Sequence, residues 1–410
     1  MLNKVAKVLE KPVCDHCLGR QFAKLLSGST NEKRGEVLRS ALAFALDAGL
    51  VETNVDLSNF KNFTFHNNLK QEEFSSHKFS CSVCDNFFFQ NAQTTRLADN
   101  IAEKLEKYDF ETFLIGTKPS KAMQKNEEGL WERSGIDFCE PIKSEINREI
   151  GKRVGFLLNK RPDLKNPDIS VLIDLETNKT EITLNPLYIF GYYRKLVRGI
   201  PQSQWVHYKT SVEEIIAKPL MKITKAESHK FHGAGREDVD ARCLAWRPFV
   251  IEFVDPRFRT VNFKKIEREV NKTKKVNVEE LIKADMKIVR KVKDFKGSKT
   301  YRLLVKFDKP VDKKVIKNLK NLIGPIEQKT PQRVLHRRAD LLRRREVKEI
   351  KYKIINKRTI ELRVEGTAGL YVKELVTGDN GRTKPSVSDI LNRKCTVKEL
   401  DVIGIEKITI

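Results

Sequence analysis

Apolar residues in "STNEKRGEVLRSALAFALDAGL" recur with a helical period. Val37, Leu38, Ala41, Leu42 and Ala45 share one face, Thr30 or Asn31 can cap the start, and Gly49 ends the segment. A second helical pattern, "IKSEINREIGKRVGFLL", sets Ile146, Ile150, Val154 and Leu157 on one side against basic residues on the other, which predicts a half-buried helix. Between the two, "NAQTTRLADNIAEKLEKYDFETFLIGTKPS" passes from helix into a strand, Glu111 to Ile115, expected to stop at Gly116. The period then switches to alternation. "NPDISVLIDLETNKTEITLNPLYIFGYYRK" reads as two strands around "ETNKT" and ends in a cluster of Tyr188, Tyr192, Tyr193, Arg194 and Lys195. That cluster suits either RNA contact by stacking and charge or a buried domain edge, and the sequence leaves both open.

Beyond it the chain is richer in strands. "RPFVIEFVDPRF" reads as one, "KTYRLLVKF" alternates Tyr301, Leu303, Val305 and Phe307 on one face, and "EIKYKIINKRTIELRVEG" predicts a hairpin turning at Asn356 to Arg358. A length of 410 residues exceeds what one core holds, roughly 250 to 300 residues. Pro201 in "RGIPQSQW" and the change of composition past it predict two domains, residues 1–205 and 206–410.

Charge narrows the partner. Lysine and arginine number 79 against 55 acidic residues, a net charge of +24, and such a surplus attracts a polyanion by counterion release. Nucleic acid fits best, and "VLHRRADLLRRREV" has the arginine density that phosphate contact requires. The most apolar stretch, "SALAFALDAGLV", is broken by Asp47 and shorter than the roughly 18 residues a membrane span needs. The first residues carry no apolar signal core, so an intracellular, cytoplasmic protein is expected. Four of the seven cysteines form two CxxC knuckles, Cys14 with Cys17 and Cys81 with Cys84. One such pair suits redox chemistry equally well; two in a reduced chain without thioredoxin-like context point to a structural zinc. His16, inside the first knuckle, reads as a loop residue rather than a ligand.

The chain has no GxxxxGK[ST], no GxGxxG, no HExxH and no His/Cys/Glu cluster of the deaminase kind. Any chemistry is therefore expected to need no organic cofactor. Against this background "HGAGREDVDAR" stands out, because it packs Glu237, Asp238 and Asp240 between arginines in a basic chain. It is either a solvated acidic turn or a site where one carboxylate is held ionised for chemistry.

"GREDVD" resembles the aspartate turn of pseudouridine synthases; "KTYR" around Tyr301 and "GLYVKEL" from Gly369 to Leu375 are similar to that fold's second and third motifs. "VLHRRADLLRRR" and "GDNGRTKPSVSDIL" resemble blocks of the archaeal and eukaryotic tRNA pseudouridine synthases that act in the T arm, on uridines 54 and 55. "CDHCLGRQFA", the second knuckle, and "NREIGKRV" through "LYIFGYYRKLVRGIPQSQW" resemble the same family's zinc-bearing THUMP-type RNA-binding region.

The resemblance implies an α+β chain, an accessory RNA-binding domain followed by a catalytic domain on a mixed, mainly antiparallel sheet, with tRNA as partner. It implies Asp238 as catalytic carboxylate, Lys373 as the cation beside it, Tyr301 as the ring and phenol at the base, Arg236 as a contact to substrate, and Leu375 at the uracil pocket. Zinc on Cys14, Cys17, Cys81 and Cys84 belongs to the same implication. Alternation along the turn sets Glu237 opposite Asp238, and Asp240 is expected to brace the turn. One departure is "LAWRPF", where Trp246 replaces the usual glycine and the placement of Arg247 is at issue. Two other classes compete. A zinc-containing tRNA-binding protein without catalysis leaves "GREDVD" unexplained, and a THUMP-bearing methyltransferase or thiolation enzyme needs a donor loop that is missing.

Overall fold

The computed structural model describes residues 1–52, 54–67, 79–89 and 92–410, which form two compact units, Met1–Asn185 and Pro186–Ile410. The first holds helices α1 (Leu2–Val8), α2 (Asp15–Gly19), α3 (Asn31–Asp47) and α4 (Ala92–Leu105), then β1 (Thr112–Lys118), α5 (Lys121–Ser134), α6 (Ile142–Leu158), β2 (Arg161–Pro162), β3 (Ile169–Asp174) and β4 (Lys179–Leu184). Its sheet runs β2-β1-β3-β4, parallel around β1 and antiparallel between β3 and β4.

Thr30 caps α3 by accepting from the Lys33 amide, as the sequence allows. The buried face differs from the apolar one. Leu38, Leu42 and Ala45 are buried, while Val37 is 66% exposed. The helix is turned by Gly35 and Arg39. A Cβ at Gly35 would lie 2.0 Å from the Asp15 carbonyl, so only glycine lets α2 and α3 pack backbone to backbone. Arg39 is buried against Asp15, Asn59 and the Val13 carbonyl. Strand β1 runs through Gly116, which pairs with Leu172, because a glycine weakens a strand without ending it and the ladder with β3 continues to Lys118. On α6, Ile146, Ile150 and Val154 are buried and Leu157 is exposed.

The second unit contains β5 (Leu187–Lys195), α7 (Val212–Thr224), β6 (Ser228–Gly233), β7 (Arg242–Val254), α8 (Phe263–Asn271), β8 (Val276–Ala284), α9 (Met286–Asp294), β9 (Lys299–Phe307), α10 (Lys313–Ile316), β10 (Gly324–Lys329), β11 (Leu342–Asn356) and β12 (Thr359–Gly366). It closes with α11 (Val372–Thr377), β13 (Thr383–Lys384), α12 (Val387–Leu391) and β14 (Cys395–Ile405). Among the described residues these strands form one sheet in the order β13-β10-β11-β12-β9-β14-β7-β5-β8, with β6 also on β7. Every pairing is antiparallel except β14 with β7, so the sheet is mixed and mainly antiparallel.

The unit boundary at Asn185–Pro186 corrects the expected one near residue 205. Strand β5 was expected to end the accessory region, yet it is hydrogen-bonded between β7 and β8. Pro201 marks only a loop inside the second unit. Leu303, Val305 and Phe307 of β9 fill the core together with Leu362, Val364 and Leu375.

Candidate active site

The site lies where β7, β9 and β14 meet. A cavity of about 720 Å³ opens there, lined by the turn 235–241, by Arg247, Lys299, Tyr301, Leu400 and Val402 from the strands, and by Arg333, Arg338, Arg343, Arg345 and residues 369–373 from the β10–β13 side. Its walls are strongly basic.

The acidic turn separates its three carboxylates. Asp238 faces the cavity, with Lys373 Nζ 3.2 Å from Oδ2 and Arg333 Nη1 3.3 Å from Oδ1. Burial alone would push this carboxyl up; Arg333 first, then Lys373, more than offset it and hold Asp238 below the ordinary carboxylate range. Asp240 is mostly exposed and takes both its oxygens to within 2.9 Å of the same lysine. Glu237 points the other way and is fully buried, accepting from Tyr193 Oη at 2.9 Å, with Arg247 Nε at 3.2 Å and Lys195 Nζ at 3.8 Å.

That buried side sets the turn's shape. Lys195 donates to the carbonyls of Ile200 and Asp238, and Gln202 to that of Gly235. Arg198 donates to the Asp240 and Leu400 carbonyls and pairs with the buried Asp401 of β14. Gly235 has φ 82°, and a Cβ there would lie 2.9 Å from Lys299 Nζ and 3.1 Å from Arg247 Nη1. The positive φ favours glycine at the head of "GREDVD", and any side chain there would also have to displace the ends of Lys299 and Arg247. The Tyr188–Lys195 cluster is thus divided: Tyr193 and Lys195 are buried supports of the turn, while Arg194 stacks 4.2 Å from the centre of the Trp246 ring. Arg247 is buried and donates to the Ala234 carbonyl.

Tyr301 shares a face of β9 with Lys299, and burial pushes its phenol up to about 12. Lys299, which sequence reasoning passed over, is buried at the cavity wall, where burial and then Arg247 lower its ammonium to about 8. Its signal was its position two residues before Tyr301 on an alternating strand. Arg333 was also missed as a partner of Asp238: it lies one residue before the basic run noted in the sequence, which begins at Val334. Arg236 lines the cavity, is exposed, and has no ion-pair partner among the described residues. Leu375 is the correction: it is 0% exposed and packs in the core rather than on the cavity wall. Two residues on a helix are about 200° apart, so Lys373 and Leu375 of α11 face opposite ways. Leu370, Val372 and Val334 give the cavity its apolar surface instead.

In the first unit the sulfurs of Cys14, Cys17, Cys81 and Cys84 all lie within 4.8 Å of one another, with Cys14 and Cys84 3.7 Å apart. A tetrahedral zinc with bonds of about 2.3 Å sets its sulfurs about 3.8 Å apart, so this donor set fits one ion. Arg20, wholly buried, donates to Cys17 Sγ at 2.9 Å and sits beside Glu127 and Glu145. A buried cation there offsets the charge of metal-bound thiolates. His16 is helical and buried, bonded to Glu145 through Nδ1 at 2.9 Å, so it is neither a loop residue nor one of the four ligands.

Comparison with known proteins gives the family. Residues 188–406 match the family described as Pus10, C-terminal, and residues 97–174 match the Pus10 THUMP domain, archaeal. Proteins named tRNA pseudouridine synthase Pus10 are similar along nearly their whole length. The one from Methanothrix thermoacetophila is 38% identical over 96% of this chain and 92% of its own. That from Methanocaldococcus jannaschii is 39% identical over 97% and 93%, and that from Pyrococcus furiosus 37% over 99% and 98%. The chain belongs to the Pus10 family. Its α+β architecture is therefore a THUMP domain followed by a pseudouridine-synthase fold, and its second unit begins at Pro186, just before the Pus10 C-terminal match at 188. Among solved structures, a chain in the crystal structure of a Cbf5-Nop10-Gar1 complex matches at 20% identity and TM-score 0.32, covering 52% of this chain and 48% of its own.

Proposed function

We propose that this Pus10-family chain isomerises uridine to pseudouridine in the T arm of tRNA, at position 54, 55 or both, and that Asp238 performs the chemistry. The observation that carries the reading is the Asp238 carboxylate, held ionised by Arg333 and Lys373 beside Tyr301 in a basic cavity. The reaction breaks the bond from C1′ to N1, turns the uracil, joins C5 to C1′, and moves one proton from C5 to N1. No group enters or leaves, so no organic cofactor is required.

The uridine must first leave its stack to reach the cavity. Tyr301 offers its ring to the flipped base, and its phenol, at the same cavity wall, would assist removal of the proton from C5. Asp238 attacks the substrate or promotes glycosidic cleavage as an unprotonated group. Arg236, Arg338, Arg343 and Arg345 suit the phosphates on either side. The first unit would bind tRNA through its THUMP region. Cys14, Cys17, Cys81 and Cys84 would hold a structural zinc, which pins distant segments of that unit together. The seven cysteines, none of them in a disulfide, suit a reducing cytoplasm, and among the described residues no helix is long and apolar enough to cross a membrane.

Mapping pseudouridine in unmodified tRNA after incubation with the protein tests this. Formation at 54 or 55 is the expected result. Formation only outside the T arm would move the target, and none anywhere would end the catalytic reading.

A further inference from the structure

The loop between β5 and α7 carries four consecutive exposed residues, Trp205, Val206, His207 and Tyr208, and Trp205 lines the same cavity as Asp238. Trp205 is 42% and Val206 96% exposed. The Tyr208 and His207 rings lie 5.5 Å and 5.9 Å from the indole, and Tyr208 N–H donates to the Trp205 carbonyl, closing a turn. The indole N–H has no partner among the described residues. The exposed part of this tryptophan is not explained by folding, and apolar surface left open in the lining of a basic cavity marks a contact.

The stem of this loop is fixed to the acidic turn. Gly199 N–H donates to the Val239 carbonyl, and Gln202, nearly fully buried, donates to the Gly235 carbonyl. Gln204 N–H is tied to Glu213 of α7. The aromatic surface is thus held in register with Asp238 rather than left to wander. Arg236, Arg333, Arg338, Arg343 and Arg345 line the same cavity, which suits an occupant with a flat apolar face and an anionic backbone. Resting on the tRNA reading of this cavity, we infer that Trp205 is a stacking platform for an unpaired nucleobase neighbouring the flipped uridine, braced by Tyr208.

Stacking a base on an aromatic ring contributes about 1–3 kcal/mol, equivalent to roughly 5- to 150-fold in affinity. Trp205→Ala should weaken binding of unmodified tRNA by a factor in that range, measured by filter binding. Trp205→Phe should restore most of the affinity. In T-arm stem-loops bearing one abasic site each, one position beside the target should weaken the wild type by a similar factor and leave Trp205→Ala unchanged. Trp205→Ala binding within twofold of wild type, or abasic effects equal in both proteins at every position, would overturn the platform. Wild-type protein that forms no pseudouridine would instead overturn the catalytic reading, so the two failures are told apart.

Discussion

Arg333 Nη1 lies 3.3 Å from Asp238 Oδ1, on the other oxygen from the one Lys373 approaches at 3.2 Å. The same arginine is anchored by Glu374 at 2.7 Å through Nε, so it is held rather than loosely offered. Two cations from different segments therefore share one carboxylate, and the charge of Arg333 is the largest single influence lowering its proton affinity.

Arg333→Met should raise the pH at which activity is lost on the acid side. With the wild type, Asp238 stays ionised below the usual value of about 3.9. Its ionised form stabilises the fold fully above that unfolded value, and this is lost as pH falls through the lower folded one. Removing Arg333 leaves burial opposed by Lys373 alone, so the acid limb of the single-turnover rate at saturating tRNA should move upward. An unchanged limb would show that Lys373 suffices.

Glu237→Gln should damage stability rather than chemistry. It leaves Arg247 and Lys195 buried without their carboxylate, and breaking such a buried set costs roughly 3–5 kcal/mol. Urea unfolding should show the loss, while folded protein should keep the proton-transfer rates of the wild type. A normal midpoint with abolished turnover would instead place Glu237 in the reaction.

The same turn shows what could be read in advance and what could not. Alternation put Glu237 and Asp238 on opposite sides, and the motif register picked Asp238 from three acids; both describe neighbours along the chain. Arg333 is far away in sequence and reaches Asp238 only because β10 and the loop after it fold beside α11. Leu375 misled for a related reason, since a motif gives residue spacing but not which way a helix is rotated. The hairpin of β11 and β12 was legible because its period and turn are local. The position of β5 was not, because its alternation fits either unit and only its pairing with β7 and β8 decides.

Lys299→Met should stabilise the protein near neutrality. A lysine at about 8 when folded and about 10.4 when unfolded binds its proton less well in the native state, so its burial costs most below pH 8 and is relieved as pH rises toward 10.4. The gain from Met, up to about 3 kcal/mol by that shift, should appear in urea midpoints at pH 7 and shrink at pH 10. A gain equal at both pH values would show that packing, not charge, is responsible.

Cys81→Ser should lower bound zinc from about one per chain and loosen the first unit, because one of four donors at a tetrahedral ion is lost. Elemental analysis with limited proteolysis reads both, and the second unit should resist cleavage as before. Full zinc retention in the variant would show that the cysteines hold no ion together.

Release of tritium from C5 of labelled uridine in tRNA reports directly on the exchange of the C5 hydrogen for a bond to C1′. Wild-type protein should release it, Asp240→Asn should retain measurable release, and Asp238→Asn should bind tRNA yet lose release by orders of magnitude. Release at the wild-type rate by Asp238→Asn, with Asp240→Asn folded but inert, would contradict the assignment and move the chemistry to Asp240.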